Sequence, residues 1–462
     1  MEILMNVVKA TTALVLTLFL LCLSLGSDSK AAEGKKESFS PDFFVNLHFH
    51  EGSFLNPDVV IKTCSELLQR KDQLSGAQVA AALEHRGWAY VGKNQHSAAV
   101  EDFKEVLRMR PKDPEIQWYL ANCLMREGSK KQAHDMLVTL IKTHPKFPSA
   151  YGTLALKCAL EHDYGKAIEL ATTGITIDEK LLTAYSAKAI AYYGLAKYSK
   201  ALEEIERCII IDPVAARPPE TFYYLRARIL NDMGRHQSAL DSLQIAMKLA
   251  NGSASRTIKD ELWKAYHGLG NYHVSAFLGE ERAMENGKDH MSWYYCGLSR
   301  FATMRQDAAM EAARMAKKTD PEGPDCYIIS ALYHYAHGDY PNANTDILKT
   351  SEIAPKNADA AALRVIFLTC CPEVKYRNGR QASKLAEQLS GNFEDKQPAF
   401  LMLLGIACGE CGDYDNAVGI CEKAINLLES TSRKKVKYEE ILSVIKEKKP
   451  WHTNKDVHYL MP

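Results

Sequence analysis

The sequence has no surplus charge of either sign: Lys and Arg together number 57, and so do Asp and Glu. A nucleic-acid binder needs a basic excess to release phosphate counterions, so neutrality argues against nucleic acid as partner. Signatures of chemistry are missing too. No HExxH, no GxSxG and no glycine-rich phosphate loop occurs in the 462 residues. Cysteine is thinly spread, 12 along the whole chain, whereas disulfide-built secreted scaffolds are short and cysteine-dense. Intrinsic disorder is excluded for most of the length, because 46% of residues are hydrophobic and net charge is zero.

Long hydrophobic runs are absent except for one near the start. Ala10 to Leu25 is uncharged, follows Lys9 and spans sixteen residues. That is short for a bilayer core about 30 Å thick at 1.5 Å per residue. Ser24 and Gly26 supply small residues at −3 and −1 of a cleavage site, and Ser29 with Ala31 supplies a second. Such a segment is a secretory signal peptide over residues 1–31, cleaved near 26 or 31. An uncleaved signal anchor is the alternative, and membrane contact is expected only then. Leu21 stands before Cys22 where lipidation needs a small residue, so a lipoprotein is rejected. The expected address is secreted or periplasmic. Residues 32–55 then form a linker. Asn251-Gly252-Ser253 is a sequon, meaningful only in a eukaryotic secretory route.

Beyond the leader, the chain repeats. Ala99, Ala133, Ala167 and Ala201 stand 34 residues apart, as do Ala309 and Ala343. Pro111 and Pro145, and Pro321 and Pro355, keep the same interval. Ala239, Ala382 and Ala417 continue the series at slightly longer spacings, with Ser275 in the remaining slot. Each period holds two blocks of helical periodicity. Leu83, Gly87 and Tyr90 belong to a first block; Ala99, Phe103, Val106 and Leu107 belong to a second, which Pro111 ends. Gly128, Gly234, Gly270, Gly338 and Gly412 fall between the blocks, where a helix exit demands positive φ. Each period is thus a helix hairpin.

This pattern resembles the tetratricopeptide repeat. The first unit matches through Leu83, Gly87, Tyr90, Ala99, Phe103 and Pro111, and another through Leu401, Leu404, Gly405, Tyr414, Ala417 and Ala424. Trp293, Gly297, Ala309, Ala313, Ala316 and Pro321 carry the seventh. The sixth departs with Ser275 and no closing proline, and the ninth is interrupted by Cys370-Cys371-Pro372. About ten units cover residues 80–430. The resemblance implies an all-α, right-handed superhelical solenoid in which hairpins touch only their neighbours, so that stability adds repeat by repeat. Residues 56–79 read as an N-terminal capping helix. Residues 431–462 read as a C-terminal capping helix, with Tyr438, Ile441, Leu442 and Ile445 on one stripe, followed by a tail. The stretch from Pro372 to Leu428, ahead of Lys449-Pro450, looks like a two-repeat module that closes many bacterial members, which points to a bacterial origin.

Members of this family hold proteins or peptides and do no chemistry, so the resemblance implies a non-enzymatic scaffold in an extracytoplasmic assembly. No cofactor, metal or small-molecule substrate is expected. The competing class is an exported accessory to thiol-redox or metal chemistry. Cys408-Gly409-Glu410-Cys411 has the spacing of a redox pair but falls at the C-terminal pole of a repeat helix, where the dipole does not lower a thiol pKa. His48-Phe49-His50-Glu51 has no companion ligand cluster, and His334 with His337 lacks a third ligand. In the family, the first helix of each unit lines a concave face. Counting along the units puts Trp88, Trp118, Met125, Tyr193, Tyr224, Tyr294, Phe301, Tyr335 and Met402 there. They suggest an apolar or extended peptide ligand; packing between helices is the equal alternative.

Overall fold

The computed structural model describes residues 56–211, 221–250, 256–391, 397–453 and 456–461. The leader, residues 32–55, the His48–Glu51 cluster and the sequon lie outside them. Among the described residues the regular structure is helical, with no strand. This is the all-α solenoid expected from the repeat.

A lone helix, α1 (Pro57–Leu68), precedes ten hairpins. The first three pair α2 (Gly76–Gly92) with α3 (His96–Met109), α4 (Pro114–Arg126) with α5 (Lys130–Thr143), and α6 (Pro148–Leu160) with α7 (Tyr164–Ile177). Next come α8 (Leu182–Gly194) and α9 (Tyr198–Ile211), α10 (Thr221–Asp232) and α11 (His236–Leu249), then α12 (Arg256–Gly268) and α13 (Tyr272–Glu285). Two more pair α14 (His290–Ala302) with α15 (Gln306–Thr319) and α16 (Asp325–Ala336) with α17 (Tyr340–Ile353). The last two join α18 (Ala358–Cys370) to α19 (Gly379–Gly391) and α20 (Pro398–Glu410) to α21 (Tyr414–Leu427), and α22 (Lys434–Lys446) closes the series. Local chemistry sets the starts. Asp113 and Asn357 accept from amides in the first turns of α4 and α18, and Ser75 with Gln78 forms a capping box on α2.

Two compact units result, one within residues 56–154 and 176–179, the other within 155–175 and 180–461. In the first, Leu83, Phe103, Val106, Ile116 and Leu120 form a core, and α1 lays Val60 and Cys64 on Ala89 of α2. In the second, one apolar core runs from Trp263 to Met461. The small residues of the 34-residue beat explain the packing. Ala99, Ala133, Ala167, Ala201, Ala239, Ala309, Ala343, Ala382, Ala417 and Ser275 are all fully buried. A larger side chain there would push the paired helices apart. The approach is equally close at Gly405, where an added Cβ would lie 2.3 Å from Cys421 Sγ.

The second unit departs from strict neighbour packing. The start of α20 lies on the turn before α11: an added Cβ at Gly234 would lie 2.8 Å from Pro398 Cδ, and Gln397 Nε2 donates to the Asp232 carbonyl. Glu429 accepts from the backbone amides of Gln237 and Ser238 at the start of α11. Arg433 N donates to the Leu269 carbonyl at 2.8 Å. The fifth and sixth hairpins therefore meet the tenth and α22, and the expectation of purely additive repeat stability does not describe this unit. The two irregular hairpins are among those that gain. The sixth receives Arg433, and Ser275 Oγ donates to the Tyr272 carbonyl at 3.1 Å.

Nine of the ten hairpin turns contain one residue at positive φ, the ninth being the exception: the five glycines anticipated, and Asn94, His162, Ala196 and Met304 in equivalent places. A side chain in the left-handed region costs about 1 kcal/mol. Met304 is 65% exposed, so little packing opposes its removal. Met304→Gly is expected to raise stability by about 1 kcal/mol. Gly412→Ala, at φ 85 with nothing within 4 Å of the added carbon, is expected to lose a similar amount. Urea midpoints of the two variants check both signs.

Candidate peptide-binding face

The first helices of the hairpins carry the aromatic series, and burial divides it in two. Trp118, Met125, Tyr193 and Tyr224 are half-buried. Trp118 Nε1 donates to Thr153 Oγ1 at 2.7 Å, and its ring meets Phe147 edge-on. Tyr193 Oη donates to the Asp232 carboxylate and accepts from Arg228 Nε at 3.0 Å, with the Arg228 guanidinium 4.7 Å over its ring. Burial pushes the Asp232 carboxyl and the Tyr193 hydroxyl both above their ordinary values.

The other members lie inside. Trp88, Tyr294, Phe301, Tyr335 and Met402 are at most 5% exposed, so they present no face to a ligand, and for these five the packing alternative describes where they sit. Tyr294 Oη donates to Asp359 Oδ2 at 2.6 Å. In the second unit the cover includes the end of the chain itself. After α22, residues 451–453 lead into a short 3-10 turn, Val457–Leu460. Val457, Leu460 and Met461 join the same core as Tyr294, Phe301, Tyr335 and Met402. Thr453 N donates to the Cys370 carbonyl at 2.8 Å, and Tyr335 Oη donates to the Thr453 carbonyl at 2.7 Å. His458 stands edge-on to Tyr272 and Phe301, with centroids 5.0 and 6.3 Å away. Lys434, 3% exposed, donates from Nζ to the Met461 carbonyl at 2.8 Å.

Sequence reasoning missed these partners. A short segment whose described residues make one 3-10 turn has too few periods to register as amphipathic. The available signal was the apolar cluster Val457, Tyr459, Leu460 and Met461 in what was read as a tail.

Residues proposed for redox or metal chemistry do not assemble. Cys408 and Cys411 are free thiols, Cys408 is buried, and burial pushes its pKa up to about 11, which withholds the thiolate that exchange needs. His334 Nδ1 lies 3.3 Å from Asp339, and His337 Nδ1 lies 2.8 Å from the Tyr333 carbonyl. Among the described residues no group of three His, Cys, Asp or Glu is placed to hold a metal ion, and no helix is long and apolar enough to cross a membrane.

A solenoid of helix hairpins is the class these features define. A tetratricopeptide repeat family model matches residues 90–158. With ten hairpins of one plan, the match supports a tetratricopeptide-repeat protein. Solved structures of similar type include a tetratricopeptide repeat protein from Parabacteroides merdae, 15% identical over 62% of this chain and 97% of that one, TM-score 0.35. The thermophilic repeat protein TTC0263 of Thermus thermophilus is 16% identical over 41% of this chain and 98% of its own, TM-score 0.36. Yeast Tom70 is 15% identical over 85% and 92%, TM-score 0.38.

The junction where the second unit meets its own C-terminal part holds neutral histidines. Burial, aided by the Lys434 charge, pushes His236 down to about 3 and His267 well below its ordinary value. Burial likewise takes His458 down to about 4 against the opposing Asp456 carboxylate. Unfolded, each takes a proton near pH 6.5. Their folded values lie lower, so stability is full above about 6.5 and falls as pH drops from there towards 4, by about 1.4 kcal/mol per pH unit per histidine. Asp232 and Asp359, whose carboxyls burial raises, act in the opposite direction. Urea unfolding at a series of pH values is expected to show the decline beginning near 6.5. His458→Asn is expected to reduce the slope by about one proton; an unchanged slope would mean that His458 is not held neutral.

Proposed function

We propose that this chain is a non-enzymatic scaffold whose inner helical face holds a protein or peptide partner in an extracytoplasmic assembly. The observation that carries the reading is the occupied stretch of that face in the second unit. There a short segment of chain is seated by hydrogen bonds to its main chain at Thr453 and Met461 and by aliphatic anchors at Val457 and Leu460 of a 3-10 turn. A surface that accepts one peptide segment in this way has the chemistry to accept others. The half-buried Trp118 and Met125 in the first unit, and Tyr193 and Tyr224 in the second, are side chains of the kind in which interface energy concentrates. The extracytoplasmic address rests on residues 1–31, and the likeness of residues 372–428 to a module of bacterial repeat proteins favours a bacterial origin.

Trp118 and Tyr224 are the pair to substitute, since Tyr294 serves the buried Asp359 and its loss would damage the core. Trp118→Ala with Tyr224→Ala is expected to reduce partner recovery from crosslinked cell envelopes about 10-fold or more, as hot-spot removal does, while far-ultraviolet circular dichroism stays unchanged. Equal recovery by a folded double variant removes the groove. N-terminal sequencing of the fractionated protein tests the address, and an intact cytoplasmic Met1 refutes it.

A further inference from the structure

The segment at the chain's end is seated as a ligand is seated. Its main-chain bonds are sequence-independent: Thr453 N to the Cys370 carbonyl, Tyr335 Oη to the Thr453 carbonyl, and Lys434 Nζ to the Met461 carbonyl. Its side chains fill positions at intervals of three and four, with Val457 and Leu460 1% exposed and Met461 3% exposed. The receiving acceptor comes from the irregularity of the ninth hairpin. A regular hairpin closes its first helix tightly, as where Asp413 N returns to the Cys408 carbonyl. The ninth hairpin makes the same return through a longer connection, from Asn378 N to the Leu368 carbonyl, and its Cys370 carbonyl, at the end of α18, takes Thr453.

The attachments outside the core are weak. His452 pairs with Glu410 at 2.6 Å and Lys437 with Asp456 at 3.1 Å, both with a partly exposed partner, and such pairs contribute little. Lys448 and Asp456, before and within the segment, both hold left-handed conformations at φ 56 and φ 60, which disfavours the seated state for residues other than glycine. Among the described residues no α-helix lies beyond residue 446, so departure of the segment breaks no α-helical hydrogen bond there.

We propose that the inner face of the second unit is a peptide site whose resting occupant is the chain's own residues 451–461. A partner takes the face by presenting an uncharged, turn-forming segment with aliphatic side chains three and four residues apart, in place of Val457, Leu460 and Met461. The proposal rests on the reading of this face as a peptide-holding surface and adds its regulation: affinity in trans is reduced by the fraction of time the resting occupant is bound.

Two measurements test it. Native-state hydrogen exchange on the wild-type chain needs no substitution. The amides of residues 453–461 are expected to exchange by an opening that leaves α18 and α20 protected. Exchange of the segment only together with those helices makes it permanent core and overturns the proposal. The second uses a fluorescent synthetic peptide of residues 451–461 and the full chain carrying Val457→Asp with Leu460→Asp, whose buried charges expel the segment. Anisotropy is expected to show the peptide binding this variant at least about 10-fold more tightly than wild type, with circular dichroism unchanged. Equal or absent binding by both, or an unfolded variant, overturns it. A fixed segment leaves partner capture through Trp118 and Tyr224 untouched. Loss of that capture, with peptide exchange intact, fails the scaffold reading alone.

Discussion

A stack of helix hairpins always has apolar surface left over, and the structure is organised around covering it. One hairpin buries the face between its two helices and needs a neighbour for the next. The fully buried small residues at the 34-residue beat let the paired helices close to contact, which forces the large side chains outward into the gaps between hairpins. At one margin of the first unit α1 covers α2. In the second unit the leftover surface is aromatic: leaving Phe301 and Tyr335 in water would cost about 1.5–3 kcal/mol each as an upper bound. The end of the chain covers them.

This cover changes how the second unit holds together. Contacts joining residues 232–272 to residues 397–461 span most of its sequence, including Arg433 on Leu269 and the Glu429 carboxylate at the start of α11. The hairpins with the poorest repeat signatures lie within the span. The sixth, lacking a closing proline, supplies Tyr272 to His458; the ninth supplies the Cys370 carbonyl to Thr453. Where repeat chemistry is weakest, the chain's own end compensates.

The parts legible in the sequence were those that repeat. The alanines, the turn residues and the stripe of Tyr438, Ile441 and Ile445 on α22 recur at a period, and all three of those α22 side chains are fully buried. Non-glycine residues at the turns, such as Ala196 and Met304, were not foreseen, because the hairpin imposes positive φ on whatever residue falls there. The candidate face was legible as a series of positions but not as an open or closed surface. Met125 and Tyr335 occupy equivalent slots, yet one is half-buried and the other sealed. The difference arises from residues 451–461, which contact Tyr335 across 118 positions of sequence, and no local pattern encodes a pairing that distant. Buried polar groups such as Lys434 were hidden for the same reason, since a lysine at a helix start reads as solvated until its neighbours are known.

The central claim is that closure makes the second unit a single cooperative body. Its tryptophans report on three of its parts: Trp263 on α12, Trp293 on α14 and Trp451 just beyond α22. Incorporation of 5-fluorotryptophan, with assignment by single substitution, lets fluorine resonance follow each during urea unfolding. Loss of Trp263 and Trp293 together at one urea concentration, with Trp451 lost at that concentration or below it, is the result the closed unit predicts. Loss of Trp263 at a lower concentration, with Trp451 still native, would contradict it and return the unit to a row of independent repeats.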